Sequence, residues 1–362
     1  RDSGRAINIG TIDTYHMQLK GAGITEYSRH GDGRAVLRSS IREYLMSEAM
    51  QGLGIPSTLC LGLIGSDHNV RRESVEKAAI VCRVSTSWVR FGTFEYFAHQ
   101  GKFKELEALA DYVIDENFPH LKDKPNRYTM LFNDVMIITA RLMAQWMSVG
   151  FNHGVMNTDN MSIAGLTIDY GPFSMLDDFD YGFVCNKTDK AGRYSYGEQP
   201  NISYWNLTML SKALSPFIDK DRMQKKLDDY GNFLYPNAYI NVMRGKLGLE
   251  MKLDEDTELI TELIGALQDA HVDYTNFFRT LSRYDGERMP LYDIAMNPVV
   301  IHNWLELYDV RLAKESRTQE ERQKVMLKSN PKYVLKNYML QDAIDLAQKG
   351  DFSRVETLLY IA

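Results

Sequence analysis

The sequence predicts an α+β fold: a small β-rich lobe over residues 1–100, then a large, mostly helical lobe over residues 101–362. Two observations predict it. Short runs with strand-like alternation or β-branched apolar content are confined to about the first hundred residues. From Lys102 onward, apolar residues recur with helical spacing.

In chain order, Ile7–Ile12 and Tyr15–Lys20 alternate as strands. Ser39 or Ser40 can cap a helix with body Ile41–Met50, whose apolar side carries Leu45, Ala49 and Met50; Gly52, Gly54 and Pro56 end it. Thr58–Ile64 and Ala78–Val84 have strand length and content, and Phe91–Phe97 reads as a strand or as a hinge between lobes. Phe103–Asn117 and Tyr128–Val149 read as helices, and an irregular Gly-, Asp- and Tyr-rich stretch runs from about 171 to 204. Asn206–Phe217, Arg222–Leu247, Glu255–Arg283, Val300–Lys314, Thr318–Leu327 and Tyr333–Lys349 complete the predicted helices. The chain has neither internal repeats nor low-complexity tracts.

Composition narrows the class. Hydrophobic residues at 44% and charged residues at 25% are the balance of a soluble globular protein. A net charge of −6 argues against nucleic-acid or membrane-surface binding, which favour basic faces. No apolar run is long enough for a membrane span and no signal peptide is visible. Cys60, Cys82 and Cys185 are the only cysteines, a sparse, odd set that fits a reducing compartment. The chain opens on Arg1 rather than Met, and its first lobe is expected to be incomplete at its start.

The stretch His153-Gly154-Val155-Met156-Asn157-Thr158-Asp159-Asn160, followed by Asp169-Tyr170-Gly171, carries the strongest chemical signal. It resembles a protein-kinase catalytic loop, in which an Asn five residues after the catalytic Asp, and the Asp of a later Asp-Phe-Gly, hold metal ions on nucleotide phosphates. Asn160 and Asp169 can fill both positions, with oxygen donors suited to Mg²⁺ or Mn²⁺. The base position, five before Asn160, is Val155, which cannot take a proton. Asp159 is the nearest carboxylate that could. His153 reads as a structural histidine, and Asp177, Asp178 and Asp180 as a solvated loop.

Upstream, Lys20 ends a strand and Glu43 lies on the first predicted helix, the order of a phosphate-gripping lysine and its ion-pair partner. Gly31-Asp32-Gly33-Arg34 is a turn that lets backbone approach a phosphate, and Arg1–Arg5 could end another such loop. Arg83 and Arg90 flank Trp88 and carry groups suited to phosphate.

With these residues in hand, the chain resembles the selenoprotein O (YdiU-type) family, through residues 19–50, 153–178 and 192–207 and across essentially its whole length. The resemblance implies a kinase-like bilobal fold that binds ATP in an inverted orientation and transfers AMP to Ser, Thr or Tyr hydroxyls of proteins. It makes Asp159 the proton acceptor, Lys20 the phosphate-gripping lysine and Glu43 its partner. Gly4, Arg5, Lys20, Asp32, Gly33, Arg83, Arg90 and Asp169 become nucleotide contacts, and Asn160 and Asp169 metal ligands. Asp2 stands where the family's first loop carries a glycine. Cys185 matches a family cysteine whose redox partner would lie beyond this C-terminus. A bacterial member would be cytoplasmic, a eukaryotic one mitochondrial. Two rivals are a γ-phosphate-transferring atypical kinase, which Val155 argues against, and a silent nucleotide-binding scaffold, which Asn160 and Asp169 argue against.

Overall fold

The computed structural model describes residues 4–28, 30–72 and 74–362. The architecture is α+β, with an antiparallel sheet near the start and helices over most of the remaining length. Strands β1 (Ala6–Ile12) and β2 (Tyr15–Lys20) form a hairpin, with an irregularity between Asn8 and Gly10. Strand β3 (Ala35–Val36) leads into helix α1 (Leu37–Gly52), and β4 (Leu59–Arg71) and β5 (Val75–Ser85) form a long second hairpin. β5 organises the sheet: β4 pairs along most of its length, β2 with Val81–Ser85 and β3 with Ala78–Ala79.

Register decides what this sheet presents. Gln18 lies opposite Arg83 and Lys20 opposite Val81. Side chains alternate between faces along a strand, so Gln18, Lys20 and Arg83 share one face. Helix α1 buries Ile41, Leu45, Met46 and Met50 in the core, and the same helix buries Glu43.

Helix α1 starts at Leu37, four residues before the predicted body. Neither serine caps it: its N-cap is Val36, and the Ser39 hydroxyl donates instead to the Val36 carbonyl at 3.1 Å. Phe91–Phe97 is not a strand but part of helix α2 (Phe91–His99). Phe91 and Phe94, three apart, are buried together, and a reciprocal bond between Arg90 and Thr93 fixes the first turn.

Helix α3 (Phe103–Asn117) keeps its predicted bounds, and α4 (Arg127–Val149) is the longest core helix. Short strands β6 (Phe151–Asn152) and β7 (Ser174–Met175) pair. Between them runs the segment that holds both signature loops. Helix α5 (Gln199–Leu214) begins seven residues earlier than predicted. The predicted 222–247 helix is α6 (Lys220–Asp229) and α7 (Tyr235–Lys246), joined by a π-type turn at Tyr230–Leu234. The predicted 255–283 helix is two, α8 (Asp256–Ala270) and α9 (Tyr274–Leu281), because His271 turns left-handed (φ 45°) and Asp273 caps a new start. A four-residue α10 (Met289–Tyr292), α11 (Pro298–Leu312), α12 (Gln319–Ser329, capped by Thr318), α13 (Asn337–Ala347) and an unpredicted α14 (Ser353–Ile361) complete the chain. No helix among the described residues is long and apolar enough to cross a membrane.

Two large apolar cores, with a small third cluster of Val36, Val70 and Ala78, hold this together. One joins α1 to α2–α6, α13 and α14. The other gathers α7–α9, α11 and α12 around Phe277, Trp304 and Tyr308, with the Trp304 and Tyr308 rings stacked 4.9 Å apart. Burying an aromatic side chain of this size stabilises by about 1.5–3 kcal/mol.

Candidate nucleotide site

Three backbone bonds tie the loops to the segments that precede β4 and follow β5. The Phe91 N–H donates to the Met161 carbonyl (3.0 Å), Ile163 N–H to Val89 (3.1 Å) and Thr167 N–H to Pro56 (2.8 Å). His153 fixes the turn from below, stacked on Trp146 at 5.3 Å and fully buried. Its Nε2 lies 2.8 Å from the Ile168 carbonyl, and Val155 N–H points at its Nδ1 at 3.4 Å. Both contacts suit the neutral ring protonated on Nε2. Burial lowers its pKa below the ordinary histidine value. His153 is therefore the structural histidine expected.

A cleft of about 750 Å³ opens between sheet and loops. Gly4, Arg5, Lys20, Asp32, Gly33, Arg83, Arg90, Asn160 and Asp169 all line it, as does Val155. Glu43 sits behind Lys20, 2% exposed, and forms a short ion pair with its Nζ. Arg83, 1% exposed, donates from Nη1 to Glu43 Oε1 at 3.0 Å and to Asp169 Oδ1 at 2.7 Å, and from Nη2 to Gln18 Oε1 at 2.8 Å. Arg90 Nη2 meets Asp169 Oδ2 at 2.7 Å, and its Nη1 donates to the Asp159 carbonyl at 2.8 Å. Three cations and two carboxylates thus interlock. Burial alone would raise the Asp169 pKa; Arg90, Arg83 and Lys20 outweigh it and hold the group well below the usual carboxylate range. Burial likewise opposes ionisation of Glu43, and Lys20 and Arg83 reverse it.

Asp169 adopts φ 55°, a left-handed conformation uncommon outside glycine. This turns its carboxylate between the two arginines. Across the cleft, Gly33 is also left-handed (φ 66°), and a Cβ there would stand 2.0 Å from the Gly23 carbonyl oxygen, so only glycine fits. Asp32 accepts the Arg34 N–H at 3.0 Å and a two-pronged Arg72 contact at 2.9 Å on each oxygen. The bonds from Arg72, then the Arg34 amide, lower its pKa to about 2.

Arg34, from the Gly31–Arg34 turn, and Arg72 also line the cleft; Arg72 does not stand out in the sequence, nor does Gln18, which accepts from Arg83. The strand register could have placed Gln18 beside Arg83. Nothing in a forty-residue separation pairs Arg72 with Asp32. Asp2, in the expected first loop, lies outside the described residues.

Asp159 stands apart. Its carboxylate lines a second groove on the far side of Arg90, packed over the start of α2, where a Cβ on Gly92 would meet Asp159 Oδ1 at 2.1 Å.

A protein-family model described as protein adenylyltransferase SelO matches residues 3–361. The chain belongs to the SelO family. It is 48% identical over 365 residues to the protein nucleotidyltransferase YdiU of Myxococcus xanthus, covering 98% of this chain and 75% of that one. It is also 48% identical to the YdiU of Aliivibrio salmonicida (95% and 71% covered) and 47% identical to that of Thioalkalivibrio sulfidiphilus (98% and 75%). As a SelO-family member the chain is a nucleotidyltransferase.

The donors at the loops fit a divalent metal that also takes ligands from phosphate and water. The Asn160 amide donates to the Val155 carbonyl at 2.8 Å, which leaves Oδ1 free of hydrogen bonds among the described residues, and Asp169 adds a carboxylate. An amide oxygen and a carboxylate suit a hard cation that takes its other ligands from phosphate and water. Among the described residues, no cluster of three or more His, Cys, Asp or Glu side chains could hold a metal unaided.

Proposed function

We propose that this SelO-family chain is a protein adenylyltransferase with a kinase-like bilobal plan: residues 1–100 cover the nucleotide, and residues 101–362 carry the loops. ATP lies inverted, its γ end toward the sheet, and AMP passes to a Ser, Thr or Tyr hydroxyl of a protein. The observation that carries this reading is the interlocked set Lys20, Arg83 and Arg90 on the sheet side of the cleft, with a valine at the kinase base position. Positive charge deep in the small lobe suits a triphosphate tail rather than an adenine ring.

In the proposed step, the acceptor oxygen attacks the α-phosphorus, and the bond from that phosphorus to the α–β bridging oxygen breaks. Pyrophosphate leaves with the electron pair. The hydroxyl proton goes to an Asp159 carboxylate oxygen. Lys20, oriented by Glu43, and Arg83 and Arg90 neutralise the departing pyrophosphate, and Arg5 and the Asp32–Gly33 turn hold the rest of the nucleotide. Mg²⁺ or Mn²⁺ at Asn160 and Asp169 would add Lewis-acid charge at the phosphates. Val155 serves through its backbone, fixing His153 and Asn160.

Incubation with a protein acceptor, divalent metal and ATP labelled at either the α or the γ phosphorus tests this. Acceptor labelled from α only is the expected result. Labelling from γ only identifies a kinase, and no labelling with nucleotide binding intact identifies a scaffold.

A further inference from the structure

Resting on the transfer reading above, we infer that the second groove is the docking site for an extended, basic segment of the acceptor protein, with its hydroxyl at Asp159. The groove holds about 1180 Å³, more than the roughly 300–1,000 Å³ of most small-molecule sites. It runs from the β1–β2 hairpin across Trp88 to helix α2, and among the described residues only Gly4 and Arg90 border both it and the nucleotide cleft.

That shared border divides the chemistry. Asn160 and Asp169 face the first cleft and Asp159 faces the second. A hydroxyl that gives its proton to Asp159 therefore approaches from the groove, and the nucleotide from the cleft. Arg90 stands between them, bonded to Asp169 on one side and the Asp159 backbone on the other.

Charge identifies the occupant. Among the described residues, Glu26, Glu95 and Asp159 line the groove and make no ion pair, and Arg90, already engaged, is the one Lys or Arg that lines it, beside His16 and His99. This acidity repels a second triphosphate and favours Lys or Arg beside the acceptor hydroxyl. Tyr112, exposed in the groove, offers a face on which such side chains can lay their stems or stack, while the Trp88 ring beside it is already covered by Arg83 at 4.6 Å.

Two fluorescent peptides test the inference on the full chain, each with a central Ser, one flanked by lysines and one by glutamates. Fluorescence anisotropy should show binding of the lysine peptide only. Glu26→Lys with Glu95→Lys should weaken it about tenfold or more while leaving binding of a labelled ATP analogue unchanged. The milder Glu95→Gln variant should weaken it less. No binding of the lysine peptide to the parent, or equal binding to the folded double variant, overturns the inference. The α-label assay separates the two claims. Charge-sensitive peptide binding without label transfer keeps the groove and removes the adenylyltransferase. Transfer to the lysine peptide at the parental rate by the double variant removes the groove and keeps the enzyme.

Discussion

Arg90 caps the Asp169 carboxylate, Nη2 to Oδ2 at 2.7 Å, while Arg83 holds the other oxygen at the same distance. The carboxylate proposed to hold a metal is thus already neutralised by two guanidinium groups. Of the two, Arg90 is the more exposed and the one at the cleft border. On the proposed mechanism, nucleotide phosphates compete with Asp169 for Arg90, and Asn160 and Asp169 are the residues that would hold a metal.

Arg90→Ala is therefore expected to act in opposite directions on two affinities. Titration calorimetry should show Mn²⁺ alone binding more tightly, because a competing cation is gone, and ATP binding about tenfold or more weaker, from one lost charge-assisted contact. Weakening of both would make Arg90 a general support of the loop instead.

Glu43 balances both Lys20 and Arg83 in a buried setting. Glu43→Gln keeps the volume and leaves these cations short of an anion, so unfolding stability should fall by about 3–5 kcal/mol. The folded pKa of Glu43 lies below its unfolded value, so its contribution is complete above that value and lost as pH falls. Urea unfolding should show a constant gap between parent and variant from neutral pH down to about 5, closing below about 4.5.

Gly92 leaves the space the Asp159 carboxylate fills. Gly92→Ala should displace that carboxylate and lower the transfer rate about tenfold or more, with ATP affinity and Tm nearly unchanged. Asp159→Ala should slow transfer at least as much. Adding Gly92→Ala to it should do nothing further, and a fully additive double variant would show that Gly92 acts elsewhere.

Lys246 is buried far from this chemistry, its Nζ 4.2 Å from the centre of the Phe278 ring and with no carboxylate partner among the described residues. Burial lowers its pKa to about 7. The unfolded lysine binds its proton more tightly, so stability rises with pH from about 7 to about 10.5. Lys246→Met should stabilise by a few kcal/mol at pH 7 and below, the gain shrinking toward pH 10. A pH-independent gain would mean the lysine is charged in both states.

The order of elements was legible because helical spacing survives even where packing later divides a run. Several helix ends were not: α1 starts where β3 hands over its backbone, not at a serine cap, and the break at His271 rests on one left-handed residue that no local signal marks. Phe91–Phe97 misled because its aromatic content resembles a strand, while burial of Phe91 and Phe94 on one face makes it part of a helix. Within the site, Lys20 and Glu43 could be picked out only together with Asn160 and Asp169 in the same chain order, whereas Arg83 and Arg90 entered through the family resemblance. What spacing could not convey is that Asp159 faces a different groove from its neighbour Asn160. That separation depends on Gly92 and Arg90, both distant in sequence.

Intact-mass spectrometry of an acceptor protein after incubation with this enzyme, ATP and Mg²⁺ or Mn²⁺ tests the central claim most directly. The expected result is a mass gain of one adenylate per modified hydroxyl, matched by pyrophosphate release and absent with Asp169→Ala. A gain of one phosphate, with ADP as product, would contradict it.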